Sequence, residues 1–253
     1  MKGKKLSIPN IIHFIYPWTA KTRPWSLVNT LAVKTAISIY PDHEVIIWTN
    51  APSSVPLPFV TKKKCDLPTH IGGAEIVWPQ YVSDVMRLQI LYEHGGIYMD
   101  TDMISLRQFK PYDETVLSFC WETALCESIC NAFMAAPPRN EFIHAWLERM
   151  PEAMKHTTWA YGGVVVPYEM THDPFYDAHY NALSHKFFCP FDLSKNWMFD
   201  PKRKEEAKEI MGMPCAIHIF ETYWRDIIKD ITPEWIAQND CLFSELFTCI
   251  DSE

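Results

Sequence analysis

The stretch SDVMRLQILYEHGGIYMDTD, residues 83–102, decides the fold. Apolar residues recur at helical spacing from Val85 to Tyr92, and Ser83 is predicted to cap this helix at its start. The pair Gly95-Gly96 is predicted to end the helix, because glycine accepts the backbone conformation found just past a helix end. Residues 97–100 are then typical of a short buried strand. A helix therefore leads directly into a strand that ends in acidic residues.

Two further strand patterns precede this stretch. Residues 11–16 and 45–48 are apolar, β-rich runs, and residues 25–40 between them carry apolar side chains at helical spacing. Residues 51–80 are rich in proline and are predicted to be loop. Strands that alternate with helices predict an α/β fold, with a largely parallel sheet and helices on both of its faces. Ligands of such sheets bind beyond the carboxyl ends of the strands.

Asp100 and Asp102 lie at the predicted carboxyl end of the third strand. In an extended segment their side chains would point the same way, about 6–7 Å apart. Since a hard cation binds oxygen at roughly 2.1 Å, we expect one carboxylate to bind it directly and the other to act through water or a ligand hydroxyl. Mn²⁺ or Mg²⁺ suits such a site, and a departing diphosphate is the natural group for it to neutralise. Without further context, two acids at a strand end are more often a solvated turn.

Asp84 and Arg87 share one face of the predicted helix. They could form a structural ion pair, or Arg87 could hold a donor phosphate or sugar hydroxyl through its planar fork. We favour the second interpretation, because the same helix face leads through the two glycines to Asp100 and Asp102.

Composition and charge narrow the class of protein. The 253 residues are 48% hydrophobic and carry a net charge of −8, so they can bury a sizeable core, and they present no basic face of the kind that nucleic acids require. No run approaches the ~18 apolar residues of a transmembrane helix, and residues 1–16 resemble a secretion signal only superficially. The eight cysteines include no C-x-x-C pair; Cys126 and Cys130 could bind a metal from one helix face, although buried thiols are the favoured interpretation. We therefore expect a reduced, cytoplasmic protein without a transmembrane segment.

The block at 83–102 resembles the S-D-x-x-R…G-G-x-Y-x-D-x-D signature of the DXD-motif sugar-binding glycosyltransferases. That grouping includes the yeast-type α-1,6-mannosyltransferases, the inositol-phosphoceramide mannosyltransferases and, more distantly, the large glucosylating toxins. Further segments are similar to the family in the same order, so the resemblance covers most of the chain. These segments are residues 8–16, residues 48–50, residues 131–137 and residues 216–224.

The resemblance implies a donor site in the amino-terminal half. Tyr16 stands where the family has a tryptophan that stacks on the nucleotide base, although a core aromatic is an equally good interpretation. Asn50 would meet the nucleoside. Asn131 would approach the donor sugar or the acceptor, or would serve as a structural amide. Tyr161-Gly162-Gly163 matches a loop near the donor sugar only loosely.

The closing segment, residues 216–224, implies the remaining contacts. His218 is a candidate metal ligand, with a lone core histidine as the alternative, and Trp224 would lie on a lid over the donor. Tyr223 stands where the family has serine, and Thr222 could supply the missing hydroxyl.

Taken together, the resemblance implies a GT-A fold over residues 1–253, that is, an α/β fold with a Rossmann-like, mixed but mostly parallel sheet flanked by helices. It implies a donor-binding half at about 8–105 and an acceptor side with a C-terminal lid at about 106–253. It implies a retaining, metal-dependent hexosyltransferase that uses UDP-hexose or GDP-mannose and a glycan, polysaccharide or glycolipid acceptor. The assigned metal ligands are Asp102, His218 and Asp100, for Mn²⁺ or Mg²⁺. Asp100 would also reach the ribose or a water molecule, and Asp84 and Arg87 would orient the sugar hydroxyls.

Two other classes of protein remain open at the level of sequence. A nucleotidyl or phosphoryl transferase could use the same paired acids, but the chain has no Gly-rich phosphate loop or Walker-type lysine. The altered closing motif also permits a catalytically impaired protein that binds nucleotide sugars on the same fold.

Overall fold

A seven-stranded sheet forms the centre of the protein. A computed structural model describes residues 6–19 and 22–248. In chain order the strands are β1 Ile11–Ile15, β2 Glu44–Thr49, β3 Thr61–Lys64, β4 His70–Ile71, β5 Ala74–Glu75, β6 Gly96–Met99, β7 Met103–Ser105, β8 Leu117–Trp121, β9 Ile129–Ala136, β10 Tyr180–Leu183 and β11 Ala216–His218. The large sheet has the order β10-β8-β9-β6-β1-β2-β3, while β11 pairs with β7 and β4 pairs with β5.

Strand directions in the large sheet are mixed. β1 runs parallel to β2 and β6, β2 runs parallel to β3, and β10 runs parallel to β8. β9 runs antiparallel to both of its neighbours, β6 and β8. The predicted mixed, mostly parallel α/β fold is confirmed.

Helices cover both faces of this sheet. They are α1 Leu27–Ile39, α2 Pro79–His94, α3 Glu141–Ala153, α4 Val166–Met170, α5 Lys204–Met211, α6 Arg225–Ile228, α7 Pro233–Gln238 and α8 Leu242–Thr248. Successive side chains of a strand point to opposite faces, and β2 shows the result: Val45 and Ile47 enter one apolar cluster, with α1, while Ile46 and Trp48 enter the other, with α2 and α3. A strand buried on both faces explains the continuous apolar run in the sequence.

The start of α2 differs from the prediction. The helix begins at Pro79, four residues before Ser83, so Ser83 is not its cap. Proline is well suited to the first helical turn, because its fixed φ is helical and its missing N–H would have no partner there. The predicted loop at 51–80 also contains β3, β4 and β5. The helix predicted over 25–40 is α1, which Ser26 caps through a reciprocal bond with Asn29.

Gly95 ends α2 as predicted, and its conformation explains why glycine stands there. Its φ is +65°, and a Cβ at this position would lie 2.6 Å from Cδ of Pro138 and 2.9 Å from Cδ of Pro9. Both the backbone conformation and the close packing therefore require glycine, and this tight passage carries the chain from α2 straight into β6.

No helix within residues 6–19 and 22–248 combines the length and the apolar character that crossing a bilayer requires. The lysine-rich start at residues 1–5 and Cys249 lie outside the described residues. The division into a donor half and an acceptor half stays a prediction, as does the cytoplasmic location.

Candidate active site

A cleft of about 360 Å³ opens where β1 and β6 end. Most of the predicted site residues line it. They are Tyr16, Asp84, Arg87, Asp100, Asp102, Asn131 and His218. The cleft is also lined by Cys130 and by residues that the sequence did not single out, namely Asn29, Glu122, Trp159 and Glu221.

Asp100 and Asp102 approach each other more closely than an extended segment would allow. β6 ends at Met99, and the N–H of Met103 donates to the carbonyl of Asp100 at 3.0 Å, which closes a turn. Side-chain ligand atoms of Asp100, Asp102 and His218 then lie within 4.8 Å of one another. The predicted strand geometry of the two acids is therefore wrong, and the turn brings both carboxylates close enough to serve one site.

His218 reaches the acids through a short antiparallel pairing. β11 pairs with β7, and His218 is the register partner of Met103, the residue after Asp102. The imidazole Nε2 lies 3.5 Å from Oδ1 of Asp102. Histidine and acid are far apart in the sequence, so this pairing is what assembles the predicted ligand group.

The two acids have different electrostatic surroundings. The pKa of Asp102 lies below its ordinary value. Burial alone would raise this pKa, but the nearby His218 ring lowers it. The N–H of Glu221, which donates to Oδ2 of Asp102 at 2.8 Å, lowers it further. Burial also raises the pKa of Asp100, and there the nearby guanidinium of Arg87 offsets the rise only in part. Asp102 is therefore the stronger anion of the pair.

Arg87 is buried between two carboxylates. Its Nη2 lies 3.5 Å from Oδ1 of Asp84 and 3.2 Å from Oδ1 of Asp100, and its Nη1 donates to the carbonyl of Asn131 at 2.8 Å. Tyr98 donates its hydroxyl to Asp100 and stacks against the guanidinium, 4.6 Å from ring centre to Cζ. The predicted ion pair is thus present in the fold, and the same guanidinium faces the cleft.

Asp84 gives this network a measurable pH dependence. Burial raises the pKa of Asp84 from 3.8 to about 6, against the pull of Arg87. A group whose pKa is higher in the folded state stabilises the fold fully below its unfolded pKa, and this contribution is lost as the pH rises through its folded pKa. Between pH 4 and 7 we expect wild-type protein to lose roughly 3 kcal/mol of unfolding free energy relative to Asp84→Asn.

Urea unfolding at several pH values measures this difference. Asp226→Asn, at a solvent-exposed acid, is the control and should follow the wild-type pH dependence. Wild-type and Asp84→Asn curves that run parallel across this range would contradict the assignment.

Asn131 links Asp84 to the loop at Gly163. Its Nδ2 donates to Oδ1 of Asp84 at 3.0 Å and to the carbonyl of Gly163 at 2.9 Å. In the sequence, a contact with the donor and a structural amide were both open for Asn131. The structure gives it these structural bonds at the wall of the cleft.

Gly163 leaves no room for a side chain. A Cβ there would lie 2.7 Å from Nδ2 of Asn131 and from Oδ2 of Asp84. We expect Gly163→Ala to displace this network and to lower the free energy of unfolding by about 1–3 kcal/mol. Gly162→Ala is the matched control, because its Cβ meets Met150 and Tyr81 instead. Thermal unfolding measures both variants, and equal losses of stability would contradict a specific role for the network of Asp84 and Asn131.

Tyr16 lines the cleft as predicted, whereas Asn50 does not. The Tyr16 hydroxyl donates to the carbonyl of Arg23 at 2.6 Å, and its ring packs edge-on against Trp25. The Asn50 amide makes two hydrogen bonds to the backbone of Trp18, at 2.7 and 2.8 Å. Asn50 therefore holds the segment after β1 in place and lies behind the cleft wall.

Trp224 also lies behind the cleft. It is 5% exposed, its indole N–H donates to the carbonyl of Leu193 at 3.1 Å, and its ring packs against Phe199 and Phe220. Its neighbour Tyr223 is 54% exposed and lines the cleft. Trp224 therefore does not line the cleft in this geometry, because its indole is buried against these two rings, and its contact with the donor stays a prediction.

Sequence reasoning missed Asn29 and Glu221. The Asn29 amide donates to the carbonyl of Thr101 and to Oε2 of Glu221, both at 3.0 Å. Burial raises the pKa of Glu221, and the nearby Asp102 adds to this rise. Each residue lies in a sequence pattern that could have pointed to it. Glu221 belongs to residues 216–224, the segment that contains His218. Asn29 follows Ser26 at the spacing of a reciprocal helix cap, which the two residues form at the start of α1.

Part of the cleft, including Asp84, Arg87, Asp100 and Asp102, belongs to a region that is recognisable in other proteins. Residues 28–118 match the family described as the glycosyltransferase sugar-binding region containing the DXD motif. Over 270 aligned residues the chain is 24% identical to glucan organizing enzyme 1 of Cryptococcus neoformans, which covers 97% of this chain and 71% of that protein.

Two shorter matches fall on other named transferases. The chain is 31% identical over 113 residues to inositol phosphoceramide mannosyltransferase 3 of Schizosaccharomyces pombe, covering 43% of this chain. It is 30% identical over 92 residues to human alpha-1,4-N-acetylglucosaminyltransferase, covering 36% of this chain. These matches span only 28% and 25% of the length of those two proteins.

Solved structures share the fold at low sequence identity. PaToxG glycosyltransferase superposes with a TM-score of 0.53 at 14% identity, over 96% of this chain and 88% of that one. A glycosyltransferase involved in glycosylation of the major capsid of PBCV-1 gives 0.51 at 9% identity, over 87% of this chain and all of that one. The GT-A fold therefore agrees with the sequence match: the chain is a glycosyltransferase, and its residues 28–118, which include Asp100-Thr101-Asp102, are similar to the DXD-containing sugar-binding region.

Proposed function

We propose that the protein transfers a hexose from a nucleotide sugar, a UDP-hexose or GDP-mannose, to a glycan, polysaccharide or glycolipid acceptor with retention of configuration. The observation that carries this proposal is the group formed by Asp100, Asp102 and His218 within one cleft. The names of the relatives support a sugar substrate, since two are a mannosyltransferase and an N-acetylglucosaminyltransferase.

The donor set of this group fits a hard or borderline divalent cation. Carboxylate oxygens suit Mg²⁺ and Mn²⁺, and an imidazole shifts the preference towards Mn²⁺. We propose that Asp102 and His218 hold this cation, with Asp100 as the third ligand. When bound, the cation would neutralise the negative charge of a nucleoside diphosphate leaving group.

The remaining side chains of the cleft would bind and orient the substrates. Arg87 and Asp84 are fixed to one another and are proposed to orient hydroxyl groups of the donor sugar. Tyr16 is proposed to stack on the nucleotide base. Trp159 and Tyr223 both line the cleft and retain exposed aromatic surface, so a bound sugar would be shielded from water on that side.

Retention requires that the new bond forms on the face from which the diphosphate leaves. We propose that the acceptor hydroxyl attacks C1 of the donor sugar from that face while the bond from C1 to the diphosphate breaks. The hydroxyl proton passes to a diphosphate oxygen. The role of the protein is then to hold the two substrates in this geometry and to stabilise the charge that develops.

A nucleotide-sugar-binding protein with impaired catalysis is the second candidate. Tyr223 favours it, because a bulky phenol stands where the resembling family has serine. The hydroxyl of Thr222, the possible substitute, lies 3.4 Å from Nη2 of Arg23, which can donate to it.

Thermal unfolding with a panel of nucleotide sugars tests the proposed function. A donor present at 100 times its Kd should stabilise the fold by about 3 kcal/mol, and only when Mn²⁺ or Mg²⁺ is added. Release of UDP or GDP in the same mixtures measures turnover. Stabilisation without release, across a range of acceptors, would support the binding protein. If no donor stabilises the fold, the proposed function is wrong.

A further inference from the structure

A group of three thiols lies beside the acid and imidazole group. Cys120, Cys130 and Cys189 place their sulfur atoms within 4.8 Å of one another. All three residues are buried, with exposed fractions of 0% for Cys120, 3% for Cys130 and 1% for Cys189. We call these residues the thiol triad. Cys126 is exposed and does not belong to the triad. The sequence had offered Cys126 and Cys130 as metal ligands on one helix face, but Cys130 lies in β9.

The fold brings the triad together from three separate segments. Cys120 in β8 and Cys130 in β9 are direct register partners across an antiparallel pair. Cys189 follows Phe188, whose ring stacks on Phe133 of β9 with 3.7 Å between ring centres. The backbone N–H of Cys189 also donates to the carbonyl of His185 at 2.7 Å. A buried aromatic contact and a turn therefore fix the third thiol over the strand pair.

Three converging thiols in an apolar core are a ligand set for a soft cation. Zinc binds thiolate at about 2.3 Å, and tetrahedral angles then place the sulfur atoms about 3.8 Å apart. The separations in the triad need only small side-chain adjustments to reach that arrangement.

His218 connects the triad to the catalytic cleft. Its Nδ1 lies 3.8 Å from the sulfur of Cys130, and its Nε2 lies 3.5 Å from Oδ1 of Asp102. An Nδ1–H donor to a coordinated thiolate would leave the Nε2 lone pair directed towards the acids. A hydrogen bond to one ring nitrogen commonly orients a ligating histidine in this way.

We propose that Cys120, Cys130 and Cys189 bind a thiophilic divalent cation of the zinc class, separate from the oxygen-rich site, with His218 positioned between the two. Binding replaces three thiol protons, which pass to solvent, and leaves three thiolates around the cation. The Nδ1–H of His218 offsets part of the remaining negative charge. The inference does not depend on sugar transfer, because it concerns binding alone.

Cadmium titration of the intact, reduced protein tests the proposal. Excess Mg²⁺ is included because it prefers oxygen ligands and leaves thiols to cadmium. We expect one cadmium per chain, with the ultraviolet absorption of cadmium bound to thiolate. Cys120→Ser and Cys189→Ser should each weaken binding at least about 100-fold. Cys241→Ser is the matched control, since Cys241 is equally buried but lies outside the triad, 3.3 Å from the Ser244 hydroxyl.

Alkylation of wild-type protein gives an independent result if a variant fails to fold. In urea at a concentration that exposes these buried thiols to the reagent in metal-free protein, bound cadmium should protect Cys120, Cys130 and Cys189 together, and should leave alkylation of Cys126 unchanged. The proposal is overturned if wild-type protein shows no thiolate absorption with cadmium, or if protection does not extend to all three peptides.

Discussion

Asp102→Asn is expected to lower metal-dependent sugar transfer by about 100- to 1,000-fold while the fold persists. Asparagine has nearly the same shape and its amide oxygen can still accept the Glu221 N–H, so the turn after β6 keeps that bond. What the substitution removes is the negative charge beside His218, on the acid whose pKa is held low. The proposed cation site loses its strongest anion.

Release of nucleoside diphosphate at a series of Mn²⁺ concentrations measures this effect. The variant should need far more Mn²⁺, or fail to respond to it, while its thermal unfolding stays close to that of wild type. Asp226→Asn changes an exposed acid outside the cleft and should retain full activity. Unchanged turnover and unchanged Mn²⁺ dependence in Asp102→Asn would remove this residue from the proposed site.

Arg87→Met is expected to lower the free energy of unfolding by about 3–5 kcal/mol at pH 7. Methionine fills similar space, but it leaves the buried carboxylates of Asp84 and Asp100 without their cation. Without Arg87 the pKa values of both acids rise further above their unfolded values. The variant should therefore regain stability as the pH falls from 7 towards 4.

Urea unfolding of Arg87→Met across this pH range provides the measurement. Arg87→Lys keeps the charge and should cost less, although it loses the planar fork that also reaches the Asn131 carbonyl. Lys229→Met removes a cation from an exposed ion pair and should change stability by less than about 1 kcal/mol. A loss in Arg87→Met that is constant with pH would mean that packing, not charge, explains it.

Local sequence patterns were sufficient for the central elements of the fold. The apolar runs of β1 and β2 and the helical spacing of α2 predict their elements because burial and periodicity act within a few residues. The start of α2 was misplaced at Ser83, since Pro79 also favours a first helical turn and lies within a proline-rich stretch. The strand β3 was missed because its TKKK sequence lies at the sheet edge, where lysine is tolerated.

The site residues that belong to the resembling block at residues 83–102 were predictable from the sequence. Side chains whose position depends on long-range packing were less predictable. Asp84, Arg87, Asp100 and Asp102 lie within one short stretch, and all of them line the cleft. Trp224 does not, because neither spacing nor resemblance fixes which of two neighbouring aromatics faces the core. The bonds of Asn29 to Thr101 and Glu221 join segments distant in sequence, and no local pattern could show them.

The reversed direction of β9 has a consequence for how this cleft can vary. Because β9 runs against β6 and β8, its first residues lie at the edge where those two strands end, so Cys130 and Asn131 meet Asp100 there. The hairpin at residues 122–128 joins β8 to β9 at that same edge, with Glu122 on the cleft wall. Lengthening or shortening this hairpin would reshape the rim without altering a single strand pairing, so the shape of the cleft entrance can diverge between related chains while the turn that holds Asp100 and Asp102 stays the same.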